Sequence, residues 1–291
     1  MIRIGILLLL FLFQFKHAYA QEYLTPFELE QKILTINALA VSDTTDEVKI
    51  STCDSIQIWL AEHLQNPESW TYPFDSLHLT TIPVAKHPKS DVRIFSYNAV
   101  LTNNVFHHYA VIQHRHKKYI QTYSLVDTMQ ELPKDALLEG LTADDWIGAL
   151  YYQLIPFKHR RKKVYILMGF DGYNAQGNRS ILDVLYFDDE QPLFGYELFR
   201  TSEYDPTPEP REIFQYSESV VMSLRYEEEG NTIVMEDLVP KRPELEGDPW
   251  SLIPSGYYSA YVRNGKTWVK KSLTDKLPFA EPRQLENQIN R

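Results

Sequence analysis

From Val92 onward the chain is a succession of short runs rich in β-branched and aromatic residues, broken at close intervals by turn chemistry. No other feature limits the accessible folds so strongly. Val92 to Val100, Val105 to Gln113, Tyr119 to Val126, Trp146 to Ile155, Val164 to Phe170, Ile181 to Phe187 and Leu193 to Phe199 each read as a strand. Val220 to Tyr226 and Thr232 to Glu236 flank Glu229-Gly230-Asn231, and Tyr257 to Arg263 and Lys266 to Lys271 flank Asn264-Gly265. Asn and Gly tolerate the positive φ of a type I′ hairpin, so successive strands are expected to be antiparallel neighbours. About a dozen such strands predict a mainly β fold, a large antiparallel meander built as a barrel, sandwich or propeller-like body. No blade-length repeat supports the propeller.

One run, Val164-Tyr165-Ile166-Leu167-Met168, is apolar on both faces, so it is expected to be central and covered on both sides, with N-terminal helices on one of them. Those helices are read from their ends. Thr25-Pro26-Phe27-Glu28 sets a hydroxyl at the N-cap, proline at the first helical position and glutamate at the third. Phe27, Ile33, Leu34 and Ile36 follow as an apolar face, predicting a helix over about 26–40. A second helix, over about 45–64, carries Val48, Ile56, Trp59, Leu60 and Leu64 and stops at Asn66-Pro67.

Residues 1–20 read as an export signal: Arg3 is the positive n-region, Ile4 to Phe15 the apolar core, and Ala18-Tyr19-Ala20 the small-x-small cleavage pattern before Gln21. The apolar run falls short of the roughly twenty residues of a spanning helix. The expected product is therefore a single β-rich domain over 21–291, not membrane-spanning after cleavage, and periplasmic, envelope-associated or extracellular. The chain has 29 Lys and Arg against 39 Asp and Glu, a net charge of −10, and losing Arg3 and Lys16 with the leader takes it to −12. That balance argues against nucleic acid as a partner, because phosphates demand concentrated cations. A lone cysteine, Cys53, excludes an intramolecular disulfide and is read as a small buried apolar residue of the second helix.

Candidate chemistry is scattered. Asp183 stands between apolar neighbours in Ile181-Leu182-Asp183-Val184-Leu185, so it needs a buried donor or cation, for which Arg225 is a candidate from a later strand. Asp171, Asn174 and Asn178 lie in a Gly- and oxygen-rich loop that superficially suggests a cation site but lacks the ligand spacing of an EF-hand. His114 and His116 alternate onto one strand face, with rings expected about 7 Å apart, as a candidate metal pair without a third ligand. His114-Arg115-His116-Lys117-Lys118 and Lys158-His159-Arg160-Arg161-Lys162-Lys163 are two basic hairpin tips. If both emerge at one end, Arg160, Arg161, Lys162 and Lys163 belong to a positive patch suited to anionic envelope components. No nucleophile elbow, zinc-protease helix, phosphate loop or dinucleotide fingerprint occurs, and no cofactor is implied.

The phrases Tyr72-Pro73-Phe74-Asp75-Ser76-Leu77, Leu167-Met168-Gly169-Phe170-Asp171-Gly172, Ile181-Leu182-Asp183-Val184-Leu185 and Ser223-Leu224-Arg225-Tyr226 resemble those of uncharacterised exported proteins of Bacteroidota-type Gram-negative bacteria. The resemblance implies a periplasmic or envelope location and carries no activity, substrate or catalytic residue with it. The expected function is a non-catalytic binding or structural component of the cell envelope, partnered by anionic envelope components or by another envelope protein. Its rival is an exported hydrolase that recruits a metal or an Asp171/Asp183 carboxylate pair.

Overall fold

The computed structural model describes residues 23–42, 44–117, 119–128 and 138–273, so the leader lies outside the described residues. Two helices come first, α1 (Pro26–Val41) and α2 (Asp46–His63). The expected capping box is formed, with Thr25 accepting from the backbone of Glu28 and Glu28 accepting in return from the backbone of Thr25. Thr45 caps α2, and Pro67 opens a short 3-10 turn just beyond it.

Strands β1 (Val84–Ala85), β2 (Val92–Val100), β3 (Phe106–His116) and β4 (Tyr119–Val126) form a first antiparallel sheet in sequence order. The second sheet is assembled from β5 (Leu141–Thr142), β6 (Leu150–His159), β7 (Lys162–Asn174), β8 (Gly177–Asp188) and β9 (Gln191–Phe194), in the order β5-β9-β8-β7-β6. After β10 (Phe199–Arg200), β11 (Glu212–Ser217) returns to pair with the first half of β8. A third sheet has the order β10-β15-β14-β13-β12, from β12 (Leu224–Glu227), β13 (Thr232–Pro240), β14 (Leu252–Asn264) and β15 (Thr267–Leu273). Its β10–β15 pair is parallel, unlike the other strand pairs of the described residues, and an isolated parallel bridge joins Asp127 to Trp146. The fold is thus mainly β with two leading helices and several antiparallel sheets, and among the described residues no barrel closes.

Side-chain alternation stacks these sheets. On the first sheet Phe95, Tyr97, Tyr109 and Val111 pack against Leu29, Ile33, Ile56 and Leu60 of the helices. Its other face, with Ile94, Ala110 and Ile112, meets Tyr165, Leu167, Ile181 and Leu185 of the second sheet. The intervening residues of the same strands, Ile166, Met168, Leu182 and Val184, meet Ile233, Met235, Tyr261 and Trp268 of the third. The layers therefore run helices, first sheet, second sheet, third sheet. β7 is covered on both sides as its sequence requires, but by two sheets, because the helices cover the first sheet instead. Each fully buried aliphatic side chain there is worth about 1.5–3 kcal/mol relative to exposure.

Three local expectations are corrected. Asn264 pairs with Thr267, so the last hairpin turns on Gly265-Lys266, and Gly265 alone takes a positive φ, at 62°; these are the signs of a II′ turn, not I′. β6 begins at Leu150, four residues after Trp146, because Gly148 at φ 68° interrupts the extended run. β11 has a strand's register but no strand-like stretch marked it beforehand.

Candidate functional site

The interface between the first and second sheets contains a closed set of ionisable groups. Alternation places His108 on the β3 face of Ala110 and Ile112, and Asp171 on the β7 face of Leu167. Asp127, just past β4, and Arg179, on β8, complete the set. The backbone N–H of His108 donates to Asp127 Oδ2 at 2.8 Å, and His108 Nδ1 lies 3.2 Å from the same oxygen. On its other side His108 Nε2 is 3.5 Å from Asp171 Oδ1, and Arg179 Nη1 is 3.5 Å from Asp171 Oδ2. Asp171 Oδ1 also accepts from the backbone of Tyr173 at 2.6 Å. The Arg179 guanidinium lies 3.2 Å above the Tyr173 ring, which stacks on Trp250 at 5.2 Å. Gly148 admits the Asp127 carboxylate, since a Cβ there would stand 2.7 Å from Oδ1.

Burial opposes charge on His108, yet the Asp127 hydrogen bond and the two carboxylates outweigh it and raise the imidazole above its ordinary range. Burial raises Asp171 as well, partly countered by His108 and Arg179. Both shifts have one sense: His108 and Asp171 hold on to protons, whereas burial lowers Arg179. His108 is 3 % exposed, Asp171 2 % and Arg179 5 %, so the set is sealed between sheets. A second buried pair lies on the same interface. Arg211 Nε donates to Asp183 Oδ2 at 3.2 Å while Arg211 Nη1 donates to the Glu139 carbonyl at 2.9 Å. Asp183 therefore finds its cation, but in Arg211 and not Arg225, which turns to Ser223 and Glu227.

The structure does not bring the oxygen-rich loop together as a cation site. Asp171 points into the sheet interface, Asn174 accepts from the backbone of Gln176 at 2.8 Å, and the Asn178 amide donates to the carbonyls of Glu218 and Val220. His114 and His116 do share a face, with ring centroids 5.8 Å apart. They are already engaged separately: His114 stacks on Phe187 at 3.9 Å, and His116 Nε2 is 3.6 Å from Glu190. Burial pushes the His114 imidazole down. Among the described residues no group of three or more His, Cys, Asp or Glu is arranged to hold a metal ion. Cys53 is buried in the helical core, and burial pushes its thiol up to about 12.

The basic tips do emerge at one end, but an acidic turn stands between them. Asp188 takes Lys162 at 2.8 Å and Glu190 takes His116, so part of the expected patch is neutralised. What survives is a cleft of about 380 Å³ lined by Lys89, Pro156, Phe157, Lys158, Arg161 and Lys163. Arg160, with its backbone at φ 55°, faces a different concavity beside His159 and Tyr196. Lys163 is tied to Asp91 at 2.8 Å. Burial works against the Asp91 charge, but bonds from Lys163 and Tyr165 hold it below the usual carboxylate range. Lys89, Lys158 and Arg161 have no carboxylate within ion-pair distance among the described residues. Lys89 carried no sequence signal, since it comes from the loop before β2 and meets the hairpin only through sheet stacking.

No protein-family model matches the chain, and comparisons with curated proteins and with solved structures find no match. Among the described residues no helix is long and apolar enough to cross a membrane.

Proposed function

We propose that the protein is an exported, non-catalytic binding component of the cell envelope, and that its basic cleft takes the phosphate headgroup of an anionic lipid. The observation that carries this reading is the gathering of Lys89, Lys158 and Arg161 over the apolar floor of Pro156 and Phe157, on a chain whose net charge is −10. Cations beside apolar surface suit a headgroup with its adjoining chain better than a fully hydrated polymer. The leader pattern and the resemblance to exported envelope proteins support the location. Hydrolysis is the weaker reading because the groups with acid–base potential, His108, Asp127 and Asp171, are sealed from any substrate in solution.

Co-sedimentation with vesicles of phosphatidylglycerol and phosphatidylethanolamine tests the proposal. Binding should weaken as salt rises toward physiological strength, where the screening length is about 8 Å. The Lys158→Glu/Arg161→Glu double variant should lose it, while vesicles without phosphatidylglycerol should not bind. Retention indifferent to both salt and charge reversal would sink the reading.

A further inference from the structure

At the opposite end of the sheet stack from the basic tips lies a second, chemically different concavity of about 560 Å³. Its place follows from register: Val100 pairs with Phe106 and Leu150 with Phe170 at this end, whereas Val92 pairs with His114 and His159 with Lys162 at the other. The walls are Leu77, Ile82, Pro83, Phe106, Leu150 and Phe170, with His78, Thr80 and Thr81 at the rim, and among the described residues the lining contains no Lys, Arg, Asp or Glu. Its volume is that of a small-molecule site, within the range of about 300–1,000 Å³. Gly172 helps shape it by letting the Phe106 ring approach, since a Cβ at Gly172 would stand 2.5 Å from that ring.

One polar side chain of the interior lines this cleft. Asn98 on β2 is 8 % exposed, stands opposite His108 in the strand register, and has no hydrogen bond to its side-chain amide among the described residues. The amides of Gln113 and Gln57 are engaged within the protein. The Gln113 amide donates to Leu64 O and Ser69 Oγ and its oxygen accepts from Arg93, while Gln57 donates to the carbonyls of Ala110 and Leu125. The Asn98 amide lines the cleft without a protein partner among the described residues, so its donor and acceptor are open to a bound molecule.

We infer that this cleft is a binding site for a neutral, largely apolar molecule bearing a carboxamide, whose amide pairs with that of Asn98. A carboxamide offers one donor and one acceptor on the same edge, and a second carboxamide complements both. An anion fits less well: the Asn98 amide offers it one N–H group, and among the described residues the one lining side chain able to carry positive charge, His78, sits at the exposed rim. This site is independent of the basic cleft, and the two stand or fall separately.

Calorimetric titration of the folded chain with octanamide, and separately with octanoate, decides the matter. Octanamide should bind, with octanoate at least about tenfold weaker. Asn98→Leu, which keeps the size and removes both hydrogen bonds, should weaken octanamide by about tenfold. Leu150→Trp should abolish binding by filling the cleft, and Thr81→Trp at its exposed rim gives the same obstruction without touching the interior. Arg161→Glu should change nothing. No binding of octanamide, or binding indifferent to Asn98→Leu and to rim obstruction in variants of unchanged circular dichroism, overturns the inference, and octanoate binding as tightly as octanamide overturns the amide assignment.

Discussion

Both faces of β7 and β8 are buried, yet the two interfaces they make are built from different chemistry. Toward the third sheet they present Ile166, Met168, Leu182 and Val184 to Ile233, Met235 and Trp268. Toward the first sheet the same strands carry Asp171, Arg179 and Asp183 among Leu167, Ile181 and Leu185, and these find His108, Asp127 and Arg211. An apolar interface is held by area and tolerates sliding and repacking. A polar one is satisfied in a single alignment, because each buried charge must meet its partner within hydrogen-bond reach. The first-to-second-sheet interface therefore fixes how the layers are aligned, while the second-to-third supplies adhesion.

The contrast is most exposed to a charge left alone. Asp183→Ala strands Arg211 in the interior and should lower unfolding stability by about 3–5 kcal/mol, whereas Asp183→Leu combined with Arg211→Met should recover much of that loss. Urea denaturation of the three proteins measures both; a double variant as unstable as the single would show that the pair itself adheres. Ile166→Val on the apolar side should cost only about 0.5–1.5 kcal/mol, since one methyl is removed from a packed site. A larger loss there would erase the distinction between the interfaces.

The smallest effect is the most diagnostic of the polar side. With its folded pKa raised above the ordinary 6.5, charged His108 contributes stability that is fully present below that value and is lost as pH rises through the raised one. Asp171, also raised, acts in the same direction, since its ionisation on the alkaline side costs the folded state. The stability gap between the native protein and His108→Gln should thus be wider at pH 6 than at pH 9 in urea melts. A gap constant across that interval would mean that folding leaves the imidazole pKa unshifted, and a gap narrower at pH 6 would mean that the imidazole is neutral in the fold.

What was legible in the sequence follows the same division. Runs of β-branched and aromatic residues between turn signals identify the strands, and the two-sided apolarity of Val164 to Met168 identifies a doubly covered strand, because both are properties of one segment. Stacking order is not such a property: helices and sheets are equally good covers for an apolar face. Asp183 was conspicuous as a carboxylate in need of a cation, but Arg211 precedes β11 in a stretch without strand character, while Arg225 had the right pattern in the wrong sheet. In sequence His108 alternates with His114 and His116 along Phe106 to His116. Its meeting with Asp171 depends on two sheets facing each other, as does the approach of Lys89 to Lys158. Asn98 sat in plain view within Val92 to Val100, and only the cleft gives its polarity a use.

The double covering of β7 also has a meaning in time. Its amide protons are hydrogen-bonded to β6 and β8 along the strand, and the layers on either face keep water away. Fraying of an end or opening of an outer layer uncovers at most one face, so these protons exchange with solvent only when the whole stack comes apart. The strand is in that sense the clock of the molecule, and its exchange rate reads out global unfolding while the helices, covered on one side only, keep faster local time.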